Sequence, residues 1–371
     1  MLMHRHIERL AKNNQVFAIT EDNPKLRHLE MACEGIRLND QSQNIPRRIL
    51  AKLGLEPLWF FLRARNIENK GLSIAEIKKP DIILSVWSSP FFLAAFQTAK
   101  RKKIPFIVII HDDWQEMINK KQWSKSLLTQ PLRNIFHKAK KRVCISRSTA
   151  MEFQKKYGSA TCEILPPIPS KRHYRPQIES HSGPLRIATF GELMGNIKVL
   201  NAVADVLGET GSTLTFFSHG ESAERQELAK RPFVTDGGSL GAEELIQYLA
   251  SNFDVILIPQ SFEPEHRHLV QKCFPSKIPE ACQIGLPILM IGPDYGTAYI
   301  WAKEVMAPTL VLCSLDSSQI TAAIHLLKHT NTRKEAQELV WKAQESYDPE
   351  ILHNNLEKIL NQAAEQTDHS F

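Results

Sequence analysis

The chain has 371 residues, 43% of them hydrophobic and 23% charged, which is typical of a soluble globular protein long enough to form two domains. This composition argues against intrinsic disorder. The formal net charge of +6 indicates an attraction to anions, but the excess is too small to distinguish nucleic acid, acidic lipid and phosphorylated substrates. No two of the six cysteines form a C-x-x-C pair, so the sequence favours reduced core cysteines over a metal site or a disulfide framework.

The N-terminal segment carries charges within its first turns and lacks the apolar core of a signal peptide. No window approaches the roughly 18 uninterrupted apolar residues that predict a membrane-spanning helix. We therefore expect a cytoplasmic protein, with a peripheral position on the inner face of the cell membrane as an alternative.

The first elements are a helix and a strand. Residues 3–13 alternate apolar and polar positions at helical spacing, and residues 16–20 form an apolar run that predicts a strand. A doubly wound domain normally begins with a strand and a glycine-rich turn, and neither precedes this helix. Either the start is truncated or the sheet has lost an edge.

A strand, a helix and a second strand are predicted at residues 79–87, 90–103 and 104–110, which indicates a βαβ unit and a parallel sheet. The last run is apolar throughout, as in a strand covered on both faces. His111 follows it directly, at the carboxyl end of the strand, where open α/β sheets place their ligands. A loop histidine held by Asp112 is the alternative interpretation.

Residues 117–151 form a basic amphipathic stretch without any acidic residue. Three interpretations remain open for it: a solvated helix face packed on the sheet, a surface that docks on anionic lipid, and, less favoured, a nucleic-acid-binding surface. Proline-rich residues 166–184 then predict a linker between two domains. The cations that accumulate in the stretch before residue 143 are Lys120, Lys121, Lys125, Arg133, Lys138, Lys140, Lys141 and Arg142.

The second half begins with a strand at residues 186–191 that ends in Gly191, followed by a helix over residues 198–207. A strand, a glycine turn and a helix are in outline a phosphate cradle, although the full Gly-x-Gly-x-x-Gly pattern is absent. Further strands are predicted at residues 213–218 and 254–259, with Gly237 and Gly238 just ahead of a helix over 242–249. Two helices, at about 332–346 and 349–364, end the chain.

Residues 272–293 join a polar loop, a short helix and a buried strand. Ser276 is predicted to cap the helix, which begins near Lys277. Glu280 lies one turn later on the same side of the helix mouth, where unpaired N–H groups and the helix dipole favour an anion such as phosphate. The strand at residues 288–291 reads as buried on both faces.

Residues 272–293 resemble the donor-sugar motif of GT-B glycosyltransferases of the glycosyltransferase 4 type, in which a glutamate on such a helix is followed by Gly-x-Pro and a buried strand. The segment at residues 79–114 is similar to the acceptor domain of bacterial members. The resemblance implies an α/β chain of GT-B type, with two doubly wound Rossmann-like domains facing each other across a cleft. The residues that match the donor motif are Ser276, Lys277, Glu280, Gly285 and Pro287.

The resemblance also implies the domain boundaries. Residues 1–165 would form the acceptor-side Rossmann-like domain, with its first strand missing, and residues 185–347 the nucleotide-sugar donor domain. Residues 166–184 would be the linker, and a C-terminal helix at residues 348–371 would cross back to the first domain.

By the same resemblance the catalytic residues are His111, Lys277 and Glu280, with His111 in contact with the donor sugar. Two positions depart from the family: Lys272 replaces a glutamate and Glu192 replaces an arginine. Glu192 would therefore turn away or serve another group, and Lys198 and Lys277 would neutralise more of the diphosphate charge. The donor-binding residues implied are Gly191, Glu192, Lys198, Gly237, Gly238, Phe274, Pro275, Ser276, Lys277, Ile278 and Glu280.

The function implied is transfer of a sugar from a nucleotide-diphosphate sugar to a glycan or lipid-linked acceptor in cell-surface polysaccharide biosynthesis. The sequence shows no Asp-x-Asp motif or histidine cluster, so we expect a metal-independent enzyme with the donor as co-substrate and no other cofactor. An anionic membrane surface is a further candidate partner, and nucleic acid is not expected. The alternatives are a sugar-nucleotide epimerase of related fold and a catalytically inactive two-lobed binding or scaffold subunit.

Overall fold

The structure, a computed structural model, describes residues 2–21, 33–38, 56–113, 122–171, 175–180, 183–193 and 195–365. The chain divides into two compact units, one formed by Met1–Pro166 with Leu352–Phe371 and the other by Pro167–Ile351. In both units parallel strands alternate with helices, which confirms the α/β class predicted from the sequence.

The first unit contains a four-stranded parallel sheet of order β3-β4-β5-β6, and β1 and β2 form a parallel pair of their own. The first described element is a helix, as predicted. The elements are α1 (Leu2–Asn13), β1 (Phe17–Glu21), β2 (Glu34–Leu38), α2 (Glu56–Lys78), β3 (Ile83–Val86), α3 (Ser89–Lys102), β4 (Phe106–Ile110), α4 (Gln122–Lys138), β5 (Lys141–Cys144), α5 (Arg147–Tyr157) and β6 (Glu163–Ile164).

Strand β4 is the central strand of this sheet. All five of its residues are buried, and it pairs in parallel with β3 on one side and β5 on the other. An uninterrupted apolar run is what such a position requires, because helices cover both faces of a parallel sheet. Both β3 and β4 are shorter than predicted, but β4 ends at Ile110, so His111 lies at the carboxyl edge as expected.

The second unit is built on a six-stranded parallel sheet. Helices α7, α9, α11 and α12 were not predicted from the sequence. Helix α14 begins in this unit and is grouped with the first unit from Leu352 onward. The elements are β7 (Leu185–Phe190), α6 (Ile197–Thr210), β8 (Ser212–Phe217), α7 (Ala223–Ala229), β9 (Val234–Asp236), α8 (Ala242–Asn252), β10 (Val255–Pro259), α9 (Arg267–Lys272), α10 (Lys277–Ile284), β11 (Ile288–Ile291), α11 (Thr297–Val305), β12 (Val311–Leu312), α12 (Ser317–Lys328), α13 (Thr330–Gln344) and α14 (Pro349–Glu365).

The strand order in the second unit is β9-β8-β7-β10-β11-β12. Strands β8 and β9 follow β7 on one side of the sheet. The chain then crosses over, and β10, β11 and β12 follow on the other side of β7. The loops that follow β7 and β10 therefore diverge and leave a crevice at the carboxyl edge. This arrangement is the dinucleotide-binding order of doubly wound folds, which bind ligands at that switch point.

Residues 175–180, part of the predicted linker, pack against α13. The guanidinium of Arg333 is buried and donates from Nη2 to the Glu179 carbonyl at 2.8 Å. Its Nη1 donates to the last carbonyl groups of α12. The buried Gln337 amide donates to the Pro176 carbonyl at 2.9 Å. Because buried donors must be satisfied, these bonds fasten the segment to the second unit.

Candidate functional site

The turn after β7 lies at the switch point of the second sheet. Gly191 occupies it with φ +94°, a backbone conformation that favours glycine. The Lys277 side chain lies against this turn, because a Cβ added to Gly191 would be 3.6 Å from Lys277 Cε and 3.8 Å from Nζ. The structure thus brings together two predicted donor-binding residues from the start and the middle of the unit.

Lys277 is a half-buried cation whose ammonium is surrounded mainly by protein atoms. Burial lowers the pKa of its ammonium to about 8, and the negative charge of Glu192 partly opposes that shift. At pH 7 the group stays mostly protonated, because this pH lies below its pKa. An ammonium with little water around it attracts an anion more strongly than a fully solvated one. The exposed Glu192 carboxylate is close enough to act on Lys277, so it reduces the positive charge at the helix mouth.

Helix α10 starts without the side-chain cap predicted at Ser276. The Ser276 backbone is helical, with φ −61° and ψ −20°, and its side chain accepts no cap hydrogen bond. A capping serine bonds to the second or third N–H group of the helix. The second, from Ile278, donates to the Pro275 carbonyl at 3.1 Å, and the third position is Pro279, which has no N–H. The capping prediction was wrong because this proline removes the donor.

Glu280 lies one helical turn after Lys277, as predicted, and is partly exposed. Its Oε2 accepts a hydrogen bond of 3.1 Å from the backbone N–H of Ser170. A carboxylate has about four lone-pair sites, and this bond occupies one of them. The bond fixes the carboxylate at the helix mouth, because Ser170 itself is buried.

Lys198, predicted to neutralise phosphate, forms an ion pair with Glu263 at 2.5 Å. The hydrogen bond to Glu263 raises the pKa of Lys198. Glu263 belongs to the loop after β10, where His266 Nδ1 lies 3.1 Å from Ser261 Oγ and against Gly195. Sequence reasoning missed Glu263 and His266, although their position directly after a buried strand was a usable signal.

Gly237 and Gly238 follow β9 at the same edge of the sheet. A Cβ on Gly237 would approach Phe217 Cε1 to 2.4 Å, so the backbone can lie on that ring only with glycine. Phe274 packs partly buried against the core of the unit. The Ile278 side chain is fully buried, so this residue can meet a ligand only through its backbone.

His111 lies in the first unit, directly after β4. Both of its ring nitrogens are buried and have no hydrogen-bond partner among the described residues, so the loop histidine held by Asp112 is not what the structure shows. Burial lowers the pKa of His111, and the charge of Asp112 opposes this effect. A neutral imidazole with unpaired nitrogens is suited to exchange a hydrogen bond or a proton with a ligand.

Several cations of the basic stretch have structural roles. Arg142 donates to the Phe136 and Ala139 carbonyls near the end of α4, Lys141 pairs with Glu163 at 3.0 Å, and Arg133 bonds to the Tyr157 carbonyl. Lys138 is exposed and Lys140 partly exposed. Lys120 and Lys121 lie outside the residues that the structure describes, and so does the side chain of Lys125.

Within the described ranges, no group of three or more histidine, cysteine, aspartate or glutamate side chains is placed to hold a metal ion. No helix in this part of the chain is long and apolar enough to cross a membrane.

Comparisons with known proteins identify the fold. Residues 2–168 match the family described as Glycosyltransferase Family 4. A glycosyltransferase from Rickettsia africae is 13% identical with a TM-score of 0.66, covering 98% of this chain and 94% of that one. A putative UDP-N-acetylglucosamine 2-epimerase from Listeria monocytogenes is 14% identical with a TM-score of 0.57, covering 99% and 94%. No curated protein matches the chain.

Some similar structures are longer than this chain. TarM from S. aureus, solved with UDP and alpha-GlcNAc-glycerol, is 14% identical with a TM-score of 0.54, covering 79% of this chain and 58% of TarM. The chain therefore spans less than two thirds of TarM.

The chain has the GT-B fold of glycosyltransferases, as the sequence resemblance implied. Its N-terminal part, residues 2–168, matches the Glycosyltransferase Family 4 description. The second unit lies outside that match and resembles the solved structures in fold. Because an epimerase shares the fold, the activity must be argued from the site.

The electrostatics of Lys277 can be measured directly. After reductive methylation, the ¹³C resonance of Lys277 is expected to titrate near pH 8, well below the value of about 10.4 that is usual for a solvated lysine. Glu192→Gln should lower the Lys277 pKa further, because the opposing negative charge is removed. A Lys277 resonance that titrates with the exposed lysines, or that ignores Glu192→Gln, would contradict the described geometry.

Proposed function

We propose that the protein transfers a sugar from a nucleotide-diphosphate sugar to a glycan or lipid-linked acceptor. The observation that carries this proposal is the desolvated Lys277 ammonium beside the Gly191 turn at the switch point of the second sheet. Negative charge develops on the leaving diphosphate in the transition state, and a preorganised cation in a poorly hydrated site stabilises it. The match of residues 2–168 to Glycosyltransferase Family 4 supports the same chemistry.

The remaining roles follow from the same arrangement. Glu280 is an acceptor group one turn from Lys277 and is suited to a pair of ribose hydroxyls. His111, in the acceptor-side unit, would contact the transferred sugar or its phosphate. Lys277 would neutralise the leaving group, so we extend the proposal to metal-independent transfer that persists in EDTA.

The proposal also includes the location of the protein in the cell. A lipid-linked acceptor in cell-surface polysaccharide biosynthesis would place the enzyme in the cytoplasm, peripheral on the inner face of the membrane. Release of nucleoside diphosphate only in the presence of an acceptor would distinguish a transferase from an epimerase and from an inactive binding subunit. The donor for this assay is chosen by thermal stabilisation across a panel of nucleotide sugars, since a ligand that binds the folded state raises the Tm.

Lys277 and Glu280 are assigned to different parts of the donor, so their replacement is expected to weaken ligand binding in different ways. Lys277→Ala should weaken binding of the nucleoside diphosphate much more than binding of the nucleoside, and should lower turnover. Glu280→Gln should weaken both ligands by a similar factor of about tenfold, the scale of one charged hydrogen bond. Calorimetric titration measures both, with Lys303→Ala as a control at an exposed lysine. Unchanged affinities in both site variants would place the donor elsewhere.

Replacement of His111 by alanine is expected to lower turnover by roughly 10²-fold, within the usual range for a positioned acid, base or donor. Nucleoside diphosphate affinity should hardly change, because that ligand is assigned to the second unit. Steady-state turnover and calorimetry with the same preparation separate the two effects. Near-normal transfer by His111→Ala would assign this residue a structural role only.

The exposed cations of the basic stretch are expected to bind anionic lipid, at about 1 kcal/mol for each lysine near the membrane surface. Lys138 and Lys140 are the residues to change, because Arg133, Lys141 and Arg142 are engaged in the fold. The double change Lys138→Glu and Lys140→Glu should reduce sedimentation with anionic vesicles but not with neutral ones. The same reversal at exposed Lys303 and Lys334 is the control, and equal binding to both kinds of vesicle would exclude electrostatic docking.

A further inference from the structure

One guanidinium ties together the loops that follow β8 and β9. Arg225, in the first turn of α7, donates from Nε and Nη2 to Oδ2 and Oδ1 of Asp236, both at 2.6 Å. Its Nη1 donates to the Ser218 carbonyl at 2.7 Å and to the Gly220 carbonyl at 2.5 Å. A bidentate arginine–carboxylate contact fixes the orientation of the two side chains as well as the distance between them. The carbonyls of one loop and the carboxylate that ends β9 are therefore held in one geometry.

Shorter-range bonds join the same two loops. The Ser218 N–H donates to the Gly238 carbonyl at 2.9 Å, and the Gly238 N–H donates to Asp236 Oδ1 at 2.8 Å. His219 Nδ1 and Ser239 Oγ are 2.5 Å apart. These bonds connect the two loops, residues 218–222 and residues 236–241. We call them the paired loops.

The paired loops lie at the ligand-binding edge of the sheet. Strands β8 and β9 are the first and second neighbours of β7, and neighbouring strands are about 4.8 Å apart. Helix α8, which begins directly after the paired loops, packs against α10, the helix that carries Lys277 and Glu280. A ligand with its diphosphate at Lys277 and its ribose at Glu280 would therefore extend towards the paired loops on the same face of the sheet.

His219 is the side chain of the paired loops best suited to meet a ligand. It is exposed, its Nδ1 is engaged with Ser239, and Nε2 has no protein partner within the described part of the chain. An imidazole that is hydrogen-bonded at Nδ1 keeps one hydrogen-bonding position, at Nε2. A base edge, with donors and acceptors in fixed order, is the part of a nucleotide that such a group can discriminate.

We propose that Arg225 is a positioning residue for the nucleoside of the donor and that His219 contacts the base and contributes to its selection. This inference rests on the proposed function and extends it from the diphosphate to the nucleoside end. Arg225 acts through the paired loops rather than by touching the ligand. It holds the Gly237–Gly238 backbone on the Phe217 ring and His219 against Ser239.

The experiment is calorimetric titration with the nucleoside diphosphates of uracil, guanine, adenine, cytosine and thymine, and with inorganic pyrophosphate. Arg225→Ala is expected to weaken the best-bound nucleoside diphosphate by about tenfold or more and to leave pyrophosphate affinity unchanged. Asp236→Asn, which keeps the shape of the side chain, should reproduce the loss in milder form. His219→Ala should change the order of preference among the bases, an effect that a purely structural role would not produce.

Arg231→Ala is the matched control, because it removes an exposed arginine–aspartate pair, with Asp205, in the same unit. Thermal melting shows whether each variant is folded, and Asp236→Asn carries the test if Arg225→Ala does not fold. Equal losses for nucleoside diphosphate and pyrophosphate, or an unchanged base preference in His219→Ala, would overturn the inference. A parent protein that binds none of the nucleoside diphosphates would instead overturn the proposed function.

Discussion

An ammonium group loses favourable hydration when it is buried, and Lys277 bears this cost beside the turn that follows β7. The surrounding chain is adapted to it. The Gly191 turn lies against the lysine stem, and the nearby Glu192 charge returns part of the lost stabilisation. The parallel sheet makes this placement possible, because it brings the ends of β7 and β10 to one edge although long segments separate them in sequence. An anionic ligand would offset the remaining cost, so under the proposed function this site would bind a diphosphate more tightly than a neutral molecule.

The first unit uses buried imidazoles where the second uses a buried cation. His6 and His353 lie near each other with ring centroids 6.3 Å apart, and burial, followed by the charges of His353 and His111, lowers the pKa of His6 to about 4. The His6 side chain is therefore neutral at pH 7. An acceptor hydroxyl both donates and accepts hydrogen bonds, and so does a neutral imidazole. Under the proposed function, Lys277 would stabilise the departing anion, and the neutral imidazoles of His6 and His111 would suit an uncharged nucleophile.

The sequence predicts the parts of this arrangement that depend on local patterns. Apolar runs locate the strands, and the Gly-x-Pro after α10 correctly ends that helix at Gly285, whose φ is +74°. The cap at Ser276 failed because Pro279 removes a donor that the serine pattern assumes. Helix α7 was missed because it is short and mostly polar. The pairings of Lys198 with Glu263 and of Arg225 with Asp236 join separate loops, and no spacing rule in a single sequence specifies such contacts.

Arg333 and Gln337 bind the backbone of residues 175–180. These contacts determine where a fragment that contains only the second unit should begin. A fragment that starts at β7 would omit the Glu179 and Pro176 carbonyls and leave a buried guanidinium and a buried amide without those acceptors. A fragment that starts at Pro167 retains them, together with the Ser170 N–H that holds Glu280. A stand-alone fragment of the second unit should therefore begin at Pro167 rather than at Leu185, because polar contacts rather than strands define where this unit begins.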